Sequence, residues 1–302
     1  MINEKIGNSK YQNWLLLFIL SLIWGSSFIL MKKGMQVYSS NQVAALRIFI
    51  AFISVIPLMF KHVKKSLLKH WKGFLGMGMF GSLIPAFFFT AAQNGISSSL
   101  TAMLNTLTPV FTLIVGVLIF KQKTRLTNIA GILIGFAGAI GLLMVSRGGT
   151  TNTNVLYGLF VVLAAICNAL AAGIIKNNLG GINAISCTVW SIGLVGPIAG
   201  AYLFTTDFTY RLATSPMAWQ SLGYIAVLAV FSSVISVVLF NILIGRSSAI
   251  FATSVTYLLP VVAMGWGFMD NEQVLPLHFI WIGVILVGVF LVNKKPVVPE
   301  GE

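Results

Sequence analysis

Apolar runs of about twenty residues, the length a helix needs to cross a bilayer core, recur ten times along the chain. They cover 14–31, 41–60, 73–92, 98–120, 126–145, 155–175, 184–204, 219–240, 247–268 and 277–292, the last being the shortest. The runs are continuous, whereas barrel strands would alternate apolar and polar positions in shorter segments. Helices also satisfy their own backbone groups, which lipid cannot do. The expected fold is an all-α membrane protein with ten transmembrane helices. Charge supports this: only 8% of the residues are charged, against about 25% in soluble chains, too few to cover a water-exposed surface. Lys5 and Lys10 before the first run imitate a secretory leader. The run continues through Trp24-Gly25-Ser26-Ser27 to Met31 without a convincing cleavage site, so it is read as a retained helix.

The net charge is +13. In a soluble chain this would suggest a nucleic-acid partner, but here the basic residues sit in short clusters between apolar runs and read as topology signals, so no nucleic acid is expected. With the N-terminus in the cytoplasm, the inner segments hold Lys5, Lys10, Lys61, Lys64, Lys65, Lys69, Lys72, Lys121, Lys123, Arg125, Lys176, Arg246, Lys294 and Lys295, fourteen of the 19 Lys and Arg. Lys32, Lys33, Arg47, Arg147 and Arg211 remain on the other side, together with Asp207, Asp270 and Glu272. The positive-inside rule then puts both termini in the cytoplasm of a multi-pass protein of the cytoplasmic membrane. The three acids are expected in outer loops, solvated. Cys167 and Cys187 fall inside apolar runs and read as packing residues.

The chain contains a repeat. Ser97-Ser98-Ser99-Leu100-Thr101-Ala102 precedes Asn105 and Pro109, and Ser247-Ser248-Ala249-Ile250-Phe251-Ala252 precedes Thr256 and Pro260, the prolines standing 151 positions apart. A polar turn follows each apolar stretch: Lys121-Gln122-Lys123 in one half, Asp270-Asn271-Glu272 in the other. The segment 24–32 also matches 168–176 in spacing. The expected halves are 1–146 and 155–302, joined by a Gly- and Thr-containing linker at 147–154. Five helices per half is odd, so the second half enters from the opposite side, giving two inverted five-helix repeats, a construction that many secondary transporters share.

Trp24-Gly25-Ser26-Ser27-Phe28, Ala44-Ala45-Leu46-Arg47-Ile48-Phe49-Ile50-Ala51 and Thr108-Pro109-Val110-Phe111, in this order and spacing, resemble the EamA family of the drug/metabolite transporter superfamily. The resemblance spans nearly the whole chain. It implies a ten-helix inner-membrane carrier or exporter, often for amino acids or other small metabolites. It also implies a glutamate after the fourth helix, where this chain has Lys121-Gln122-Lys123; Glu272 keeps the acid in the second half.

Where charge is scarce, polar groups at membrane depth are the informative ones. Asn105, Thr108 and Thr112 share one helical face; Thr253, Thr256, Tyr257 and Pro260 make a similar one. Asn168, Ser232, Ser233 and Ser236 add hydrogen-bonding groups, and Trp24 and Trp190 lie deep in their spans. The substrate-binding candidates are therefore Trp24, Arg47, Asn105, Thr108, Asn168, Trp190, Ser236 and Tyr257. Each hydroxyl could equally bond back to its own helix, and Arg47 could snorkel to the interface or meet an anionic group. Glycine pairs such as Gly131/Gly135 and Gly196/Gly200 fit close helix packing.

His62, His70 and His278 lie away from span centres and no carboxylate lies in an apolar run, which argues against an intramembrane enzyme and calls for no cofactor or metal. A pore would want a polar stripe along whole helices, whereas these polar groups cluster at mid-depth. The expected partners are membrane lipid and a small polar metabolite, such as an amino acid, moved by alternating access as an exporter or facilitator; efflux of drugs or toxic compounds is the alternative.

Overall fold

The computed structural model describes residues 2–60, 64–121, 125–149 and 155–293; Lys61 and His62, Gln122 and Lys123 of the turn expected at 121–123, residues 150–154 of the linker expected at 147–154, and Lys294 and Lys295 lie outside the described residues. The described residues form helices and turns, with no strand among them. Among the described residues, nine helical spans are long and apolar enough to cross a membrane: α1 Tyr11–Gly34, α2 Ser40–Met59, α3 Leu67–Ala92, α4 Ser98–Leu118, α5 Leu126–Val145, α6 Gly158–Asn178, α7 Ala184–Phe204, α8 Ala218–Arg246 and α9 Ala249–Met269. The expected tenth is shorter, α10 Pro276–Val292, about 26 Å at 1.5 Å per residue. A short helix the sequence reading did not anticipate, Phe208–Thr214, lies between α7 and α8.

The helices begin where the sequence supplies side-chain acceptors for the unpaired first-turn N–H groups. Ser39 caps α2 in a capping box with Gln42, and Asn183 accepts from the Ile185 N–H at the start of α7. Ser97 accepts from the Leu100 N–H at α4, and Ser248 from the Phe251 N–H at α9. Thus the caps of α2 and α7 are 144 positions apart, and those of α4 and α9 are 151 apart. The spacing grows by seven between them. The inserted stretch falls in the α7–α8 connection, where the seven-residue helix Phe208–Thr214 sits.

Irregularities recur in step. α3 carries a π-helical segment at Met79–Leu83, and α8 one at Leu228–Ile235. α4 tightens to a 3₁₀ turn at Asn105–Leu107 just before Thr108-Pro109, and α9 does so at Ser254–Tyr257 just before Leu259-Pro260. Proline has no N–H to give the preceding turn; in α4 the Asn105 carbonyl instead accepts from the Thr108 hydroxyl at 2.8 Å. Lys121 and Asn271, which follow α4 and α9, share the left-handed conformation (φ 52° and 56°).

Packing also follows the repeat. α5 lies along α10 and α2 along α7, while α6 meets α3 and α4, and α1 meets α8 and α9. α4 runs through the centre, and most of its residues are buried. Large apolar side chains such as Leu118, Leu133, Val261 and Phe290 face outward, which suits lipid. Gly131 and Gly135 let α10 approach at Gly288, backbone against backbone. Gly196 and Gly200 act differently from the expected backbone contact: they make room for the rings of Phe52 and Phe49 on α2. Cys167 and Cys187 are buried free thiols, as expected.

Candidate substrate cavity

The helices leave a cavity of about 100 Å³. Its wall is built from matching positions of the two halves. Trp24, Ser27 and Met31 of α1 stand opposite Asn168, Ala171 and Ile175 of α6, each pair 144 positions apart. Gly81, Ser82, Ala86 and Phe89 of α3 answer Ser232, Ser233, Val237 and Phe240 of α8, each pair 151 apart, as do Asn105 and Thr256, and Thr108 and Leu259. Arg47 of α2 breaks the pattern, because α7 contributes no lining residue.

The π segment of α8 organises one wall. Its Ser232 carbonyl accepts from Trp24 Nε1 at 3.1 Å and from the Ser236 hydroxyl at 2.6 Å. The Trp24 ring lies against Phe240, centroids 5.1 Å apart. On α4, Asn105 Oδ1 accepts from the Thr108 hydroxyl at 2.9 Å, while the Asn105 amide nitrogen has no hydrogen-bond partner among the described residues. Asn168 makes no hydrogen bond at all among them. An unpaired amide costs free energy at a dry site, so both are groups that a polar ligand would satisfy.

Arg47 lies seven residues into α2, about 10 Å along the helix. Its Nε donates to the Ser233 hydroxyl at 2.7 Å, and Nη1 approaches Met31 Sδ at 3.9 Å. These contacts turn it toward the cavity, not outward along α2. An uncompensated charge at membrane depth costs on the order of 3 kcal/mol on insertion scales.

Five of the eight sequence candidates, Trp24, Arg47, Asn105, Thr108 and Asn168, line this cavity together. Three do not. Ser236 is fully buried behind the wall and bonds back to its own helix. Trp190 is buried beside Leu17, Phe74 and Met77, its Nε1 unpaired among the described residues. Tyr257 packs against the main apolar core. The aromatic wall of Phe28, Phe89 and Phe240 and the hydroxyls of Ser27 and Ser82 were not singled out from the sequence; pairing positions 151 apart would have matched Phe89 with Phe240 and Ser82 with Ser233.

One end of the bundle is closed by ions, which corrects the expectation of solvated acids at Asp270 and Glu272, while Asp207 is exposed. The Glu272 side chain is only 4% exposed. Its two carboxylate oxygens accept from the backbone N–H and hydroxyl of Ser98 (3.1 and 2.7 Å) and of Ser99 (3.0 and 2.6 Å). Lys32 Nζ lies 2.8 Å from Glu272 and 2.6 Å from Asp270, and Lys33 pairs with the other Asp270 oxygen. Burial would raise both carboxyls, but hydrogen bonds from Lys32, joined by Ser99 and Ser98 at Glu272 and by Lys33 at Asp270, outweigh it and hold both below their ordinary values. Nearby, Gln42 donates to Thr206 and Asp207, and Arg211 bridges Asp207 and the Val37 carbonyl. At the opposite end Lys176 donates to the Ile244 and Ser247 carbonyls, and Arg246 to Gln12.

A lipid-facing helical bundle with a polar cavity lined from both halves defines a multi-pass membrane transporter. The chain belongs to the EamA-like transporter family, which it matches over residues 13–144 and again over 156–294. It is a transporter, not an enzyme, and acts on a small molecule from within a membrane. It is 28% identical to the inner membrane transporter YedA of Escherichia coli (strain K12), over 93% of each chain. It is also 23% identical to a probable amino-acid metabolite efflux pump of the same strain, over 91% of this chain and 93% of that one. One protein of known crystal structure shares the fold with a TM-score of 0.63 at 18% identity, over 94% of this chain and 96% of that one.

Proposed function

We propose that the chain is a secondary carrier that moves a small polar metabolite of amino-acid size across the cytoplasmic membrane by alternating access, as an exporter or facilitator. The observation that carries this reading is the cavity walled largely by paired positions of the two halves, with the Asn105 amide nitrogen and the Asn168 amide, which have no hydrogen-bond partner among the described residues, on it. Its small volume, about 100 Å³, suits a ligand of amino-acid size better than a bulky drug. The similarity to a probable amino-acid metabolite efflux pump supports the same size class.

In this reading the halves 1–146 and 155–302 are oppositely inserted about the linker 147–154, with both termini cytoplasmic and the Glu272 end outside. The distribution of basic residues supports that orientation. A cysteine placed in the linker is then labelled by an impermeant reagent from outside the cell; labelling only from inside overturns it. The function itself is tested with purified protein in liposomes. Uptake of a panel of amino-acid-sized metabolites should saturate, and Asn105→Ala with Asn168→Ala should lower it about tenfold or more, the loss of one to two hydrogen bonds. Linear, unsaturable flux would indicate a pore, and a double variant with unchanged uptake would remove the cavity from the transport path.

A further inference from the structure

Resting on the carrier reading above, we infer that the cavity takes a small organic anion, held by its carboxylate at Arg47, and rejects the amino acid of the same skeleton. Among the described residues, Arg47 carries the one formal charge on the cavity wall, and no Asp or Glu lies on that wall. The acids that close the Glu272 end are engaged by Lys32, Lys33 and Arg211. One guanidinium nitrogen donates to Ser233, and another meets only a thioether, a weak acceptor. The rest of the fork has no oxygen partner among the described residues. A carboxylate matches that planar fork with two parallel hydrogen bonds and cancels the charge in a low-dielectric site.

The same wall is poorly equipped for an ammonium group. Asn105 Oδ1 already accepts from the Thr108 hydroxyl, and the Ser232 carbonyl from Trp24 and Ser236; the Asn168 amide oxygen and the wall hydroxyls are neutral acceptors that offer an ammonium no counter-charge. An ammonium group would enter a cavity that already holds a fixed positive charge and no negative one. A hydroxyl in its place can accept from the Asn105 amide nitrogen and donate to the Asn168 amide oxygen. The body of the ligand would lie against Trp24, Phe89 and Phe240, so an apolar chain fits better than a second charge.

Three probes with related skeletons separate the possibilities: 2-hydroxy-4-methylpentanoate, leucine and 3-methylbutylamine. The full chain in liposomes should take up the hydroxy acid at least tenfold faster than leucine and leave the amine outside. In detergent the hydroxy acid should raise the Tm of the protein saturably, as a ligand of the folded state does. Arg47→Gln should reduce uptake and thermal shift at least tenfold, and Arg47→Lys should restore the preference for the anion at reduced affinity. If Arg47→Gln does not fold, the wild-type selectivity decides, and Ser233→Ala, which releases the guanidinium, should narrow that selectivity. Saturable leucine uptake as fast as that of the hydroxy acid would overturn the anion assignment and leave the carrier standing. Suppression of both readouts by excess chloride would show an unselective anion site and overturn the carboxylate assignment. No saturable uptake and no thermal shift with any probe would overturn the carrier reading as well.

Discussion

A carboxylate at a helix N-terminus meets unpaired N–H groups and the positive end of the backbone dipole. Glu272 holds that position on α4, although it belongs to the turn after α9, and so ties the two halves together. In Glu272→Gln the amide NH₂ would face the Ser98 or Ser99 donors and the charge would be lost, while Lys32 keeps Asp270. The expected cost is about 1.5–3 kcal/mol, the range for hydrogen bonds to a charged group, read as a lower Tm of the purified protein. The pH dependence has a definite sign. Both carboxyls titrate below their ordinary values, 4.5 for Glu272 and 3.8 for Asp270. Their stabilisation is therefore complete above those values and is lost as pH falls through the lowered ones. Tm should be flat with respect to these groups from about pH 8 to about pH 5 and fall on further acidification, less steeply in Glu272→Gln. An equal acid slope in the variant would refute the assignment. This residue was visible in the sequence as an acid but misread as solvated, because its partners lie some 170 and 240 positions away. Trp24, Asn105 and Asn168 were legible because amides and tryptophan at membrane depth are scarce. Helical period shows that Ser236 and Tyr257 lie on polar faces, but not which neighbour each face meets.

At the scale of elements, nine of the ten apolar runs were legible as spans, and the tenth as a shorter apolar helix, because bilayer thickness fixes their length. The irregular turns inside them were not, since a π segment leaves no change in hydropathy. α8 illustrates this: 219–240 was expected, and the span found, with its π segment, reaches Arg246. The α5–α10 pair offers a direct test of how closely the helices are set. A Cβ on Gly288 would stand 2.5 Å from the Gly135 nitrogen and 2.7 Å from the Gly131 carbonyl oxygen, all rigid backbone. Gly288→Ala should therefore destabilise by about 1–3 kcal/mol, as overpacking does. Gly283, on the same helix, has nothing within 4 Å of its added Cβ, so Gly283→Ala should be neutral or raise stability by a few tenths to about 1 kcal/mol through helix propensity. Equal effects of the two substitutions on Tm would show that α5 and α10 are not in close backbone contact.

At the scale of the whole molecule, the question is what drives net movement. Proton-driven carriers place a titratable group on the transport path. Among the described residues no carboxylate or histidine lines the cavity. Glu272 is committed to Lys32 and the start of α4, and His278 accepts from the Leu275 N–H with Nδ1, capping the start of α10; taking up a proton there would forfeit that bond. The expected mode is facilitated transport or exchange of one substrate for another. The charge on Arg47 favours exchange: a carrier returning empty would enclose an uncompensated guanidinium, whereas one returning loaded with an anion would not. With that penalty on the order of 3 kcal/mol at full desolvation, and 1.4 kcal/mol worth a factor of ten, substrate preloaded inside the liposomes should speed uptake roughly tenfold or more. An imposed pH gradient, by contrast, should not raise the final level above equilibrium. Accumulation above equilibrium that follows the gradient and collapses with an uncoupler would show that a proton does travel with the substrate, and attention would then turn to Glu272 and His278.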